Sequence, residues 1–322
     1  MQVVDIKDNK NNIIKKHQEL VRNARYGLGD LAIKTLSILI SMIKVSDTDF
    51  QEYGIKLSDL KELTGVKSKN VDTYVDKMTT ELLSSPLMID EHNKLNWVTL
   101  AHYEKGSNLV IFEIHRYLKP YLLELKNNFL TYDISNILVL KSGYVIRLYE
   151  LCKDHYNEVT RYKLKASVVF DIKIDRLREQ FEIPKSYQYK DIRVHIIDKA
   201  VKQFKEKTDI QISYKEIKLG RRVDSIQITV KSNTKGSNDY TKHKQAFISY
   251  MRKEFVNADI LKSRDKGTNR EMMISIAPDG KLYDKKGIEF EASRANDIWS
   301  ALYEMSQKGQ LACLNTNKEV EL

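Results

Sequence analysis

The chain offers almost no sulfur chemistry. Two cysteines, Cys152 and Cys313, stand in 322 residues. Two thiols cannot build the disulfide framework of a small secreted scaffold. Proline and glycine are scarce, at 4 and 12, which excludes a collagen-like or loop-dominated architecture and fits a helix-rich protein. Long apolar runs are missing. The longest, Leu36 to Val45, is bounded by Lys34 and broken by Ser37, Ser41 and Lys44, too short and polar to cross a bilayer core of about 30 Å. Met1 to Asn12 is polar and lacks the apolar centre of a signal peptide. Together these absences predict a cytoplasmic protein with no membrane segment.

Catalytic signatures are missing too. No G-x-x-x-x-G-K-[ST] phosphate loop occurs, so nothing supports an ATP-driven helicase. No His-x-His pair occurs, so a nicking enzyme that holds a metal beside a nucleophilic tyrosine lacks its metal site. Cys152 and His155 lie three residues apart, but two ligands without partners make no metal centre, and Cys152 reads as a core residue. Carboxylates are plentiful, yet no motif pairs two of them as acid and base. The expectation is a protein with no enzymatic activity, no cofactor and no metal.

What is present is positive charge. Lysine plus arginine number 54 against 44 aspartate plus glutamate, a net of +10. Such a surplus points to a polyanionic partner, because neutralised phosphates release counterions and give affinity independent of sequence. The charge is uneven. Residues 236–322 hold 14 basic and 13 acidic side chains, whereas residues 1–235 hold 40 and 31.

The apolar pattern orders the elements. Leu28, Leu31, Ala32, Leu36, Leu39, Ile40 and Ile43 repeat at helical spacing and predict a buried helix over 28–44. Ser58 is expected to cap a short helix over 59–63 that ends at Gly65, and Ser68 to cap the next, with Val71, Val75, Met78 and Leu82 on one stripe. Strands over 87–90, 95–103 and 109–114 follow, the last two turning at Gly106-Ser107-Asn108. Helix, short helix, turn, helix and hairpin is the order of a winged helix. It then recurs: helices over 133–140 and 142–155, a strand over 168–172, a short helix over 175–181, a long helix over 190–207, and a hairpin of 210–217 with 223–230 around Gly220. Ser232 to Asp239 reads as a polar linker. The remainder predicts helices over 244–256 and 293–305 with a hairpin around Pro278-Asp279-Gly280. The fold class expected is α+β and helix-rich: tandem winged-helix domains, each a helix-turn-helix plus a β-hairpin wing, with a small C-terminal extension. The divisions are 1–128, 129–232, a linker at 233–240, and 241–322.

One stretch carries more than periodicity. Lys141-Ser142-Gly143-Tyr144-Val145-Ile146-Arg147-Leu148-Tyr149-Glu150-Leu151-Cys152-Lys153 is an amphipathic helix by spacing. It also resembles the S-x-Y-A-x-R-L-Y-E-L-L signature of the iteron-binding plasmid replication initiators, the Rep superfamily with two winged-helix domains. The likeness extends from Asn12 to Ser232. It takes in Asn23-Ala24-Arg25-Tyr26, Phe129-Leu130-Thr131-Tyr132, Ala200-Val201-Lys202 and Glu206-Lys207-Thr208-Asp209-Ile210. It ends in Tyr214-Lys215-Glu216-Ile217-Lys218-Leu219-Gly220-Arg221-Arg222-Val223, similar to the family's Y-E-x-I-K-x-G-R-K-V wing. Departures fall at Lys199, where the family often has proline, and near Val194, where it is more basic.

The resemblance implies that monomers bind direct repeats, the iterons, at a replication origin through both domains. It implies that dimers made through the N-terminal domain bind an inverted operator repeat and repress the protein's own gene, which serves copy-number control. It also implies that bound copies strain an AT-rich duplex and recruit the host initiator and helicase. Two other readings stand beside it: a dimeric winged-helix transcriptional regulator without initiator activity, and the disfavoured DNA-nicking enzyme.

The candidate DNA contacts lie mostly in the second module. Residues 185–231 hold 12 basic and 6 acidic side chains. On the long helix, Ile196, Ile197, Ala200, Val201 and Phe204 are expected to face the core, with His195, Lys199 and Lys202 opposite. Lys190 and Arg193 sit in the first turn, where helix-turn-helix proteins touch base edges, although Arg193 lies close enough to the apolar arc to pack instead. An arginine paired with guanine gives about 1–3 kcal/mol of discrimination. Lys218, Arg221 and Arg222 cluster at the hairpin tip around Gly220, where three cations repel unless phosphate meets them. In the first module Lys67, Lys69, Asn70, Thr73 and Lys77 line the helix after the turn, their charge diluted by Asp72 and Asp76.

Overall fold

A computed structural model describes residues 2–3, 13–44, 46–64, 71–104, 106–125, 128–162 and 167–233, with parts of 248–314. It divides into two compact units: residues 1–157 with 169–230, and residues 158–168 with 231–322.

The first unit begins with the short strand β1 (Gln2–Val3), then β2 (Ile13–His17) and the single-turn helix α1 (Gln18–Arg22). Helix α2 (Asp30–Met42) is shorter than the expected 28–44 and is buried on every side from Ala32 onward, with Lys34, Thr35, Ser37 and Ser41 enclosed beside the apolar stripe and Leu31 only half-buried. β3 (Glu52–Lys56) leads into α3 (Leu57–Thr64) and α4 (Val71–Ser84). Short strands β4 (Leu87–Met88) and β5 (Lys94–Leu95) pair with each other. The first wing is β6 (Val98–Tyr103) and β7 (Leu109–Ile114), antiparallel, with β7 also pairing antiparallel to β3 and β1 parallel to β3.

Helix α5 (Lys119–Leu122), strand β8 (Phe129–Asp133) and the short helix α6 (Ser135–Leu138) lead to α7 (Gly143–Tyr162), which carries the signature. The chain continues with β9 (Ser167–Lys173), α8 (Ile174–Phe181) and α9 (Tyr189–Ile192). A π-helical turn, Arg193–Ile197, passes into α10 (Asp198–Lys207). The second wing is β10 (Ile210–Leu219) with β11 (Arg222–Ser232), in a sheet ordered β10-β11-β9.

Several expectations change. The helix expected over 133–140 is only α6, because Asp133 still belongs to β8, whose partner β2 the sequence did not announce. That strand hides its alternation: Ile14 is buried, but so is Lys16, at 0% exposure. The strand expected over 95–103 breaks at Trp97, whose fully buried ring packs edge-on against Tyr26. Ser58 does not cap α3, which already starts at Leu57. The hairpin turn does so: the Leu57 N–H donates to the Asn108 carbonyl and the Ser58 N–H to Asn108 Oδ1. The long helix over 190–207 contains the π turn, and Val201 lies at the margin of the core rather than inside it. Gly65 and Ser68 lie outside the described residues.

The second unit holds a four-stranded sheet ordered β14-β13-β12-β15, built from β12 (Asp259–Lys262), β13 (Met272–Ile276), β14 (Leu282–Asp284) and β15 (Ala312–Leu314). β13 and β14 form the hairpin expected around 278–280, whereas β12 and β15 were not anticipated. Ile248, Met251, Ile298, Trp299 and Leu302 are buried helical residues inside the two helices expected there. The linker beyond Asn233 lies outside the described residues.

Candidate nucleic-acid interface

The helix that presents the candidate contacts is held by its apolar side. Ile192, Ile196, Ile197, Ala200 and Phe204 are all at 0% exposure. A regular helix would bring Ile192, Ile196, Ala200 and Phe204 inward at spacings of four. Ile197 joins them at spacings of three and seven from Ala200 and Phe204, and the π turn Arg193–Ile197 lies within this face, an insertion often found where a helix serves a function. Opposite this face, Lys190, His195, Lys199 and Lys202 are exposed.

Arg193 is placed differently. It is half-buried, and its guanidinium faces Glu216 on β10 at 3.8 Å. The same Glu216 carboxylate accepts from the Tyr189 hydroxyl at 2.8 Å. Tyr214, also on β10, donates to Asp198 at 2.7 Å. Burial, with the acceptor Asp198, pushes the Tyr214 phenol up to about 12. Burial and the bond to Glu216 likewise raise Tyr189. These contacts tie helix and wing strand into one piece. The far side is fixed as well: Gln203 accepts from the Lys141 N–H at 2.7 Å and donates to its carbonyl at 3.2 Å.

The wing leaves the body after Glu216. Residues 217–222 are all exposed. Gly220 has φ +64°, the left-handed conformation that glycine adopts without a Cβ penalty. Lys218 and Arg221 make no ion pair among the described residues. Arg222 is the cation with a partner, donating to both Asp175 oxygens at 2.9 and 3.1 Å.

In the first module Thr73 and Lys77 are exposed on α4, while Lys67, Lys69 and Asn70 lie outside the described residues. Asp72 on α4 accepts from the Tyr103 hydroxyl on the first wing strand at 2.7 Å. That is the same helix-to-wing tie as Tyr214 to Asp198 in the second module.

The signature helix supplies the frame, and its charged positions are what sequence periodicity passed over. Arg147, Glu150, Lys153 and Asp154 are all buried. Arg147 donates to the Tyr26 and Ala24 carbonyls at 3.1 and 3.2 Å and lies over the Tyr26 ring at 3.4 Å. Glu150 accepts from Lys16 at 2.6 Å and from the Tyr132 hydroxyl. Lys153 and Tyr149 both donate to Asp209, at 2.5 and 2.8 Å, at the junction of α10 and β10. Arg22 pairs with Asp154. Spacing does put these residues on a helix, but only their partners on β2, on α1 and at the junction before β10 explain their charge.

Cys152 is fully buried, and burial holds its thiol well above the ordinary value, so it is a core residue as expected. His155 stacks on Phe170 at 4.0 Å between ring centres. Among the described residues no three His, Cys, Asp or Glu side chains gather as metal ligands, and no helix is long and apolar enough to cross a membrane.

Two modules of helix, helix and hairpin wing, with cations along the exposed side of the second helix and at its wing tip, define a tandem winged-helix protein of the DNA-binding kind. A family profile described as "Initiator Replication protein, WH1" matches residues 13–153, and one described as "Initiator Rep protein, WH2" matches residues 173–230. The chain belongs to this initiator Rep family. It is 28% identical over 133 residues to the PI protein of Escherichia coli, a stretch equal to 37% of this chain and 42% of that protein. The match thus spans less than half of that relative. The crystal structure of Pi initiator protein in complex with iteron DNA aligns with a TM-score of 0.54 at 18% identity, over 70% of this chain and 98% of that one. That likeness is one of fold.

Proposed function

We propose that the protein binds direct repeats in duplex DNA at a replication origin and initiates replication there, without catalysing a reaction itself. The observation that carries this reading is the exposed cationic side of the second helix, fixed to a cationic wing by Tyr214–Asp198 and Tyr189–Glu216, in a chain of the initiator family. Lys190, His195, Lys199 and Lys202 face the major groove, and Lys218 and Arg221 meet phosphates or the adjoining groove. Arg193 acts through Glu216 as a support of the helix. Thr73 and Lys77, with Lys69 and Asn70, make the weaker contact of the first module.

The remaining parts follow from the family reading. The protein works in the cytoplasm as two DNA-binding modules, 1–128 and 129–232, followed by a linker at 233–240 and an extension over 241–322. Monomers occupy the repeats. A homodimer through the N-terminal module binds the operator and represses the gene, and origin-bound copies recruit the host initiator and helicase. Competition footprinting of the full chain tests the central claim. Repeats beside its own gene should be protected at moderate salt in excess random duplex, and equal affinity for both would overturn it.

A further inference from the structure

The second wing ends in a side chain that its charge does not explain. Leu219 is 75% exposed, the most exposed large apolar residue described, and Ile217 beside it is 38% exposed. Both lie past Glu216, the last half-buried residue of the strand, so at roughly 3.3 Å per residue the tip reaches about 10 Å beyond the body. Gly220 follows directly, and beyond its two chain neighbours no described atom lies within 4 Å of the place where its Cβ would be. Among the described residues of this unit, none covers the tip.

We propose that Leu219 is a wedge that enters the minor groove and partly unstacks one base step, so that each bound copy bends its repeat. The inference rests on the DNA-binding reading above and adds a residue and a mechanical act to it. Order along the chain carries the argument: a lysine, a leucine, a glycine and an arginine, with Lys218 and Arg221 unpaired on either side. Cations flanking an apolar tip match a surface with phosphates on both rims and an apolar base stack at its floor. Proteins that kink DNA from the minor groove use this pairing of basic side chains with an inserted apolar one. A pure phosphate clamp would need the cations alone and would gain nothing from an exposed leucine between them. The second helix is braced to the same strand through Glu216 and Asp198, so its seating in the major groove sets the tip at a fixed distance along the duplex. The bend stores the strain that several copies would deliver to a nearby weak duplex.

The test uses the full chain and a duplex holding one repeat, obtained by selecting random duplex on the wild-type protein, with 2-aminopurine at successive steps. Binding should raise the fluorescence at one step or two neighbouring steps, and phased-bend electrophoresis should report a bend. Leu219→Ser should abolish both and lose protection at the unstacked step, while the rest of the footprint and the salt slope persist. Affinity should fall only about fivefold, because the gain from burying the side chain is offset by the cost of unstacking. Arg221→Ala should do the reverse, lowering the salt slope while fluorescence persists. Unchanged fluorescence and bend in Leu219→Ser overturn the wedge. So does binding to vesicles of anionic phospholipid that Leu219→Ser alone removes, which would assign the tip to a membrane surface. A wild-type chain that selects no preferred duplex overturns the DNA reading beneath it and the wedge together; a chain that selects one but leaves it straight overturns the wedge alone.

Discussion

Gly143 shows how little room the frame allows. The N–H groups of Ser142 and Gly143, at the start of α7, both donate to the Asp30 carboxylate at 2.8 Å. This brings the chain so close to α2 that a Cβ on Gly143 would overlap the Leu28 carbonyl oxygen. Gly143→Ala must therefore move backbone rather than a flexible side chain. It should lower unfolding stability by about 3 kcal/mol in urea titration of the full chain. Asp90, in the turn between β4 and β5, acts through charge instead. The Asn93 side chain and the His92 and Asn93 N–H groups hold its carboxyl below the ordinary 3.8. A depressed acid contributes stability above its unfolded pKa and loses it as pH falls through the folded value. The urea midpoint of Asp90→Asn should thus drop less than that of the wild type between about pH 5 and about pH 3.

At the scale of elements, each wing is tied to its helix by a tyrosine on the first wing strand and an aspartate on the helix: Tyr103 to Asp72 and Tyr214 to Asp198, both at 2.7 Å. The repetition of element order was legible in the sequence. The tie was not, because it joins positions 31 and 16 residues apart whose meeting depends on the hairpin register. The same limit applied to the cations at the tip. Sequence grouped Lys218, Arg221 and Arg222, and the structure separates them by giving Arg222 to Asp175. Arg221→Ala should reduce the slope of log affinity against log salt by about one unit. Arg222→Ala should reduce it less, since its charge is already met. Filter binding across a salt series would read both, and equal reductions would remove the distinction.

At the scale of the whole first unit, α7 joins the two modules through charges. Lys16 on β2 and Glu150 on α7 are each about 1% exposed and 134 residues apart in sequence. Removing one partner leaves the other buried and uncompensated, so Glu150→Leu should cost about 3–5 kcal/mol. The double variant Lys16→Met with Glu150→Leu should recover part of that loss, because two apolar chains of similar size replace the pair, while the Tyr132 hydroxyl still loses its Glu150 acceptor. Unfolding midpoints of the single and double variants decide it. If the double variant were no better than the single, Lys16 would not be the group Glu150 serves.

The amino-acid order alone determined the long helices, both wings and the twofold recurrence of those elements. It also placed the positive charge in the first 235 residues and supplied the signature that points to the family. These are local or additive properties, set by spacings of two to four residues and by net charge. Tertiary packing alone decided which charges go inside, where the π turn falls, and that Arg193 and Arg222 turn toward carboxylates while Leu219 stays in the open. A side chain's partner is set by distance in space, and burial makes that partner far more consequential than it would be in water. Neither quantity is a function of neighbours along the chain.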